Sequence, residues 1–353
     1  MLNTDKFVNR LIIEGYTHLC VVPCSFAKNI INAIINSDKI EYIPSASEAV
    51  ACSIAVGLKM SGAKPIVIVQ SSGLTNMGSC ITSLLKPYGV TFPIITSWRT
   101  YKDGDSEIQH QHLATELPKL IEAYGYDNTI LNQDSIDDAI SQINLCNKSE
   151  TICILKKDTF SKVELDDIHK LDLSSYIPRS EFLKVLDKKF ANDSTLFIGT
   201  TGNTSREMYS FMPNTDNFYM AGNMGGALSL GLGASLTGKR VIVLGGDAEF
   251  VMHMGGLVTT GRYNNINLTY ILFDNEQNKS TGGQNTYQNH VDYINIAKSS
   301  NLNVVDKSIY TIEEFSNILN DLDDGLNFIY VKCGIDDVTP RPPLDIVKVS
   351  SFK

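Results

Sequence analysis

Positive charge is in deficit in this chain: 30 Lys and Arg face 39 Asp and Glu, for a formal net charge of −9 at pH 7. That balance speaks against non-specific binding to nucleic acid, which needs a basic face. It leaves an anionic small molecule open, because the groups lining a site set its local potential. Long hydrophobic runs are missing too. No segment approaches the ~18–20 consecutive apolar residues of a transmembrane helix, so no membrane partner is expected. The seven cysteines are odd in number and show no Cys-x-x-Cys spacing, which argues against a disulfide framework and against a zinc site. The opening residues Met1-Leu2-Asn3-Thr4-Asp5-Lys6 have no basic segment leading into an apolar one. The expected location is therefore the cytoplasm. No Gly-x-Gly-x-x-Gly follows the first strand-like run, which sets aside a plain dinucleotide-binding protein.

What the chain does contain is α/β alternation, in two halves. Its 353 residues, 43% of them hydrophobic, suffice for two cores. In the first half the strand-like runs are Leu19–Val22, Ile66–Val69, Pro93–Thr96 and Thr151–Leu155. In the second they are Thr195–Ile198, Arg240–Leu244, Leu268–Phe273 and Asn327–Val331. Helix-like segments between them predict a parallel sheet flanked by helices in each half. The expected boundaries are a first domain over 1–165, a polar linker over 166–176, a second domain over 177–335 and a Pro-containing tail over 336–353.

Two strand ends in the second half converge on one chemistry. Gly246-Asp247-Ala248 follows one apolar run and Asp274-Asn275-Glu276-Gln277 follows the next. Ligands of open α/β sheets bind outside the carboxyl ends of strands. Asp247, the Asn275 amide and a carbonyl near Gln277 would form an oxygen-only set suited to Mg²⁺, which completes its shell with phosphate oxygens. Upstream, Gly222-Asn223-Met224-Gly225-Gly226 precedes the small-residue run Ala227–Gly233, and a helix N-terminus favours anions. The expectation is a metal-anchored diphosphate.

These motifs resemble those of thiamine diphosphate-dependent enzymes, in which Gly-Asp-Gly and a downstream Asn-Asn bind the metal and the diphosphate. The resemblance implies two thiamine diphosphate-binding-fold domains, one for the pyrimidine and one for the diphosphate. It also implies thiamine diphosphate and Mg²⁺ as cofactors, held by Asn223, Met224, Gly225, Asp247, Ala248, Glu249, Asn275 and Gln277. In the first half, Glu48 opens the run Ala49–Gly57. On its own it reads as a residue that complements the helix dipole. Through the resemblance it becomes the glutamate that hydrogen-bonds the aminopyrimidine, with Gly73 of Gln70-Ser71-Ser72-Gly73-Leu74-Thr75-Asn76 lying against the cofactor.

A narrower resemblance covers nearly the whole chain. Met252-His253-Met254-Gly255, Ser280-Thr281-Gly282-Gly283-Gln284-Asn285-Thr286, Trp98-Arg99, Gln109-His110 and Thr200–Glu207 are similar to the phosphonopyruvate and sulfopyruvate decarboxylase branch, which lacks a middle domain. It implies decarboxylation of 3-phosphonopyruvate to phosphonoacetaldehyde in phosphonate biosynthesis. The substrate residues would be Ser25, Asn76, Arg99, Gln109, His110 and Arg341, with His110 or His253 as the proton donor. The resemblance further implies a homodimer or homotetramer with active sites at the subunit interface. Sulfopyruvate decarboxylation, carboligation in place of proton uptake, and a non-catalytic subunit are the alternatives.

Three residues depart from the pattern. Ala248 replaces a Gly, which would strain a left-handed backbone by roughly 1 kcal/mol. Glu249 would repel a diphosphate unless it turned to solvent or to a Lys or Arg. Asp274 replaces an Asn and would either strengthen Mg²⁺ binding or cap a turn.

Overall fold

The computed structural model describes residues 1–99 and 108–336 together with Pro340 and Ser350. The chain divides into two compact units: Met1–Lys170 with Asn278–Asn285, and Leu171–Gln277 with Thr286–Lys353. The division falls between Lys170 and Leu171. That the segment Asn278–Asn285 belongs with the first unit was not foreseen.

The first unit is built on six parallel strands: β1 (His18–Val21), β2 (Glu41–Pro44), β3 (Pro65–Gln70), β4 (Ile94–Ser97), β5 (Asp127–Ile130) and β6 (Thr151–Leu155). Their order across the sheet is β2-β1-β3-β4-β6-β5. The central strands are apolar on both faces because helices cover both, as parallel sheets require. Chain direction across the sheet reverses between β1 and β3, and the crevice at such a switch point is where α/β sheets bind ligands.

The second unit repeats the plan with β7 (Leu196–Gly199), β8 (Asp216–Tyr219), β9 (Val241–Gly246), β10 (Leu268–Asp274), β11 (Asn303–Val304) and β12 (Leu326–Lys332). The order is β11-β12-β10-β9-β7-β8, again all parallel. Here the reversal lies between β7 and β9. Their carboxyl ends carry Thr200 and Asp247. All seven residues of β10 are buried, and its last residue, Asp274, stands in register with Lys332 of β12.

Close packing explains several glycines. A Cβ on Gly231 would meet Val243 at the helix–sheet contact, and one on Gly245 would lie 2.7 Å from Cζ of Tyr270. No helix among the described residues is long and apolar enough to cross a membrane.

Candidate active site

In the first unit, β3 runs directly into the helix Ser71–Asn76, while Ser47 caps the helix Glu48–Met60 by accepting the Val50 N–H. These two helix starts bring three predicted residues together. Glu48 is buried at 5% exposure, and its Oε2 accepts a 2.9 Å hydrogen bond from the Asn76 side chain. Its carboxylate lies on the bare Cα of Gly73, where an added Cβ would stand 2.7 Å from Glu48 Cδ. Gly73 is thus required by the close approach of Glu48. Asn76, expected to bind substrate, is seen holding Glu48.

A polar network crosses the ends of β1, β3 and β4. The Cys24 thiol lies 3.1 Å from Ser97 Oγ and 3.8 Å from Gln70 Oε1. Gln70 Nε2 donates to Ser72 Oγ at 2.8 Å and sits 3.5 Å from Nδ1 of buried His110. At the same end of the sheet, Arg99 donates to Ser25 Oγ, and its guanidinium lies 4.4 Å from the centre of the Phe26 ring. Gln109 is half-buried beside His110. Arg341 lies outside the described residues. The hub role of Gln70 and the stacking by Phe26 escaped sequence reasoning, because neither residue type signals a site without its neighbours.

In the second unit, Asp247 is buried at 5% exposure. Thr286 Oγ1 donates to its Oδ2 at 3.3 Å. Burial first, and then the neighbouring Asp274 carboxyl, push the Asp247 carboxyl up to about 7. A buried carboxyl beside a second acidic group suits a metal ligand, since a cation would offset both effects. Asn275 is also buried, with its Oδ1 accepting the Gln277 N–H at 3.3 Å. No group of three or more His, Cys, Asp or Glu side chains with metal-holding geometry occurs among the described residues. A cation here would therefore draw on Asp247 together with amide and carbonyl oxygens, the mixed set that suits Mg²⁺. At the end of the adjacent β7, buried Thr200 Oγ1 has no hydrogen-bond partner among the described residues. A phosphate oxygen would supply one. The turn before the helix Ala227–Ser235 puts Asn223 and Gly225 at positive φ. A Cβ on Gly225 would lie 2.8 Å from Cγ of His253, an exposed side chain, and Met224 is half-buried beside it. These residues fit a diphosphate with its metal.

Two of the three departures resolve differently from the expectations. Ala248 lies inside the helix Asp247–Met252 and is not among the residues with positive φ, so it carries no left-handed strain. Glu249 turns neither to solvent nor to a cation. It is buried at 4% exposure and accepts a 2.6 Å hydrogen bond from the Tyr270 hydroxyl. Burial pushes its carboxyl up to about 7. Asp274 does cap a turn, with Oδ1 accepting the Glu276 N–H at 2.9 Å, but its Oδ2 is engaged elsewhere, as described below.

Two other predicted segments are tied into their own units. Gln284 is buried and donates to Asn32 Oδ1 at 2.8 Å within the first unit. Glu207 forms a buried two-point ion pair with Arg179, at 2.8 and 2.9 Å.

Comparison with known proteins gives the family. Residues 3–117 match the thiamine pyrophosphate enzyme N-terminal domain, and residues 198–324 match the C-terminal domain. A phosphonopyruvate decarboxylase from Streptomyces viridochromogenes is 28% identical over 83% of this chain and 78% of its own length. A sulfopyruvate decarboxylase from Methanosarcina acetivorans is 25% identical over 80% of this chain and 78% of its own. The sulfopyruvate decarboxylase subunit beta of Methanocaldococcus jannaschii is 33% identical over 41% of this chain and 79% of its own. The chain belongs to the thiamine pyrophosphate enzyme family. Within it, this is a thiamine diphosphate-dependent decarboxylase of the phosphonopyruvate and sulfopyruvate type.

Proposed function

We propose that the chain converts 3-phosphonopyruvate to phosphonoacetaldehyde and CO₂, with thiamine diphosphate and Mg²⁺, in phosphonate biosynthesis. The observation that carries this reading is Arg99, braced by Phe26 and hydrogen-bonded to Ser25 at the end of the sheet. A planar guanidinium beside a hydroxyl suits a group with three charged oxygens.

Asp247, Asn275 and the Gln277 region would hold Mg²⁺, and Thr200, Asn223, Met224 and Gly225 the diphosphate. The chemistry that thiamine diphosphate supplies when bound is an electron sink for the departing carboxylate. Glu48 would hydrogen-bond the pyrimidine and favour its imino form, and Asn76 fixes the carboxylate that would do so. One proton must replace CO₂ on the product carbon. We assign its delivery to His110, which is buried beside Gln70, rather than to exposed His253. Glu48 and Asp247 belong to different units, and we read the working enzyme as a homodimer or homotetramer with sites between subunits.

Sulfopyruvate is the second reading. It is favoured by the match of this one chain to both the beta and the alpha subunits of the Methanocaldococcus jannaschii sulfopyruvate decarboxylase. Arg99→Met tests the assignment. It should raise KM for phosphonopyruvate by about tenfold or more, as expected for losing a charged hydrogen bond, and leave thiamine diphosphate affinity alone. An unchanged KM would remove Arg99 from the substrate site.

A further inference from the structure

Lys332 is the last residue of β12 and is buried at 6% exposure. Buried lysines are rare unless paired, and this one has two acidic partners. Its Nζ donates to Asp274 Oδ2 at 3.0 Å and also to Glu276 Oε1. The Tyr330 hydroxyl donates to the same Asp274 oxygen at 2.6 Å. Burial alone would weaken the ammonium's charge, but the two carboxylates outweigh it and hold the group protonated.

Those partners flank Asn275 on both sides. Glu276 has a φ of 54°, in the left-handed region, a conformation costing a non-Gly residue roughly 1–2 kcal/mol. Such strain persists only where the surroundings over-determine it. Here the Lys332 ammonium grips the Glu276 side chain, while its N–H is held by Asp274 Oδ1 and its C=O accepts the Thr286 N–H at 2.9 Å. Thr286 in turn donates to Asp247. The Asp274 charge is also felt by the Asp247 carboxyl, so without Lys332 the negative charges of Asp247, Asp274 and Glu276 would stand uncompensated near one turn.

We propose that Lys332 is a positioning residue for the cofactor-metal site. It neutralises Asp274 and Glu276 and pins the turn 274–277, so that Asn275 and Asp247 are presented together. Asp274 is therefore half of a buried pair rather than a spare metal ligand. The inference rests on the reading that Asp247 and Asn275 hold the cation.

The test compares wild type, Lys332→Met and the double variant Asp274→Asn with Lys332→Met. Thiamine diphosphate affinity is measured by calorimetry across a Mg²⁺ titration, alongside thermal unfolding without cofactor. Wild-type binding that needs Mg²⁺ establishes the underlying reading, and its absence would refute that reading alone. Given wild-type binding, Lys332→Met should raise the half-saturating Mg²⁺ concentration by about 10–100-fold, the usual cost of losing a residue that orients metal ligands. Removing the more deeply buried of the two stranded charges, at Asp274, should recover part of that loss in the double variant. Wild-type Mg²⁺ dependence in Lys332→Met, or no recovery in the double variant, would overturn the assignment. So would failure of both variants to fold, which would make Lys332 a scaffold residue.

Discussion

Gly73→Ala separates catalysis from folding. Gly73 lies within the helix Ser71–Asn76, where Ala is favoured over Gly by about 0.8–1 kcal/mol. Against that stands the new Cβ, 2.7 Å from Cδ of buried Glu48. Overpacking of that kind costs about 1–3 kcal/mol. The helix preference offsets part of that cost, so the protein should lose about 2 kcal/mol of unfolding free energy at most. Glu48 must yield, because the added methyl belongs to a helix backbone, whereas among the described residues the Glu48 carboxylate is held at its tip by Asn76 at 2.9 Å. A displacement near 1 Å of a positioned group costs about 100-fold in turnover. The assay is CO₂ release under saturating substrate and cofactor, with chemical denaturation run in parallel. A hundredfold loss of kcat in a stably folded protein is expected. Turnover within about threefold of wild type would mean that Glu48 does not act from the position seen here.

Other expectations follow from the same geometry. Glu48→Gln should retain thiamine diphosphate, measured by calorimetry, while kcat falls by about 10²–10⁴-fold; near-normal turnover would dismiss its proton role. Arg179→Met should destabilise the protein by about 3–5 kcal/mol, because it leaves Glu207 charged and buried; denaturant midpoints near wild type would contradict that. Asp247 and Glu249 both have carboxyls pushed up to about 7, so the stability they contribute is full at low pH and lost as pH rises through that value. The cofactor-free protein should therefore show a falling thermal midpoint between about pH 4 and pH 8, with Mg²⁺ plus thiamine diphosphate restoring it mainly at the upper end. A flat or rising profile for the cofactor-free protein would show that these carboxyls are not held protonated.

The parallel sheets were legible because their inner strands are apolar on both faces. Thr151–Leu155 was placed to the residue, and Leu268–Phe273 stopped one short of Asp274. In the two six-stranded sheets, the strands that escaped notice, β2, β5, β8 and β11, are the four sheet edges. An edge strand such as Asp127–Ile130 is largely exposed and polar, so it has no hydrophobic run to betray it. The site shows a similar split. Asp247 and Asn275 were proposed because motif and strand end coincide, and Glu48 through the family resemblance. Lys332 could not, because a charge after an apolar run reads as the end of a strand, and its partner Asp274 lies 58 residues away in sequence. Glu249 was misjudged for a related reason. Its partner Tyr270 projects from the middle of a neighbouring strand, and nothing local announces that hydroxyl.

The central claim is a decarboxylase selective for a phosphonate-bearing 2-oxo acid. It is tested most directly by incubating the purified protein with thiamine diphosphate and Mg²⁺ and measuring CO₂ release from phosphonopyruvate, sulfopyruvate and pyruvate in parallel, with the product aldehyde identified. Selective turnover of phosphonopyruvate, yielding phosphonoacetaldehyde, is the predicted result. Preference for sulfopyruvate, or no CO₂ from any of the three with the cofactor fully bound, would contradict it.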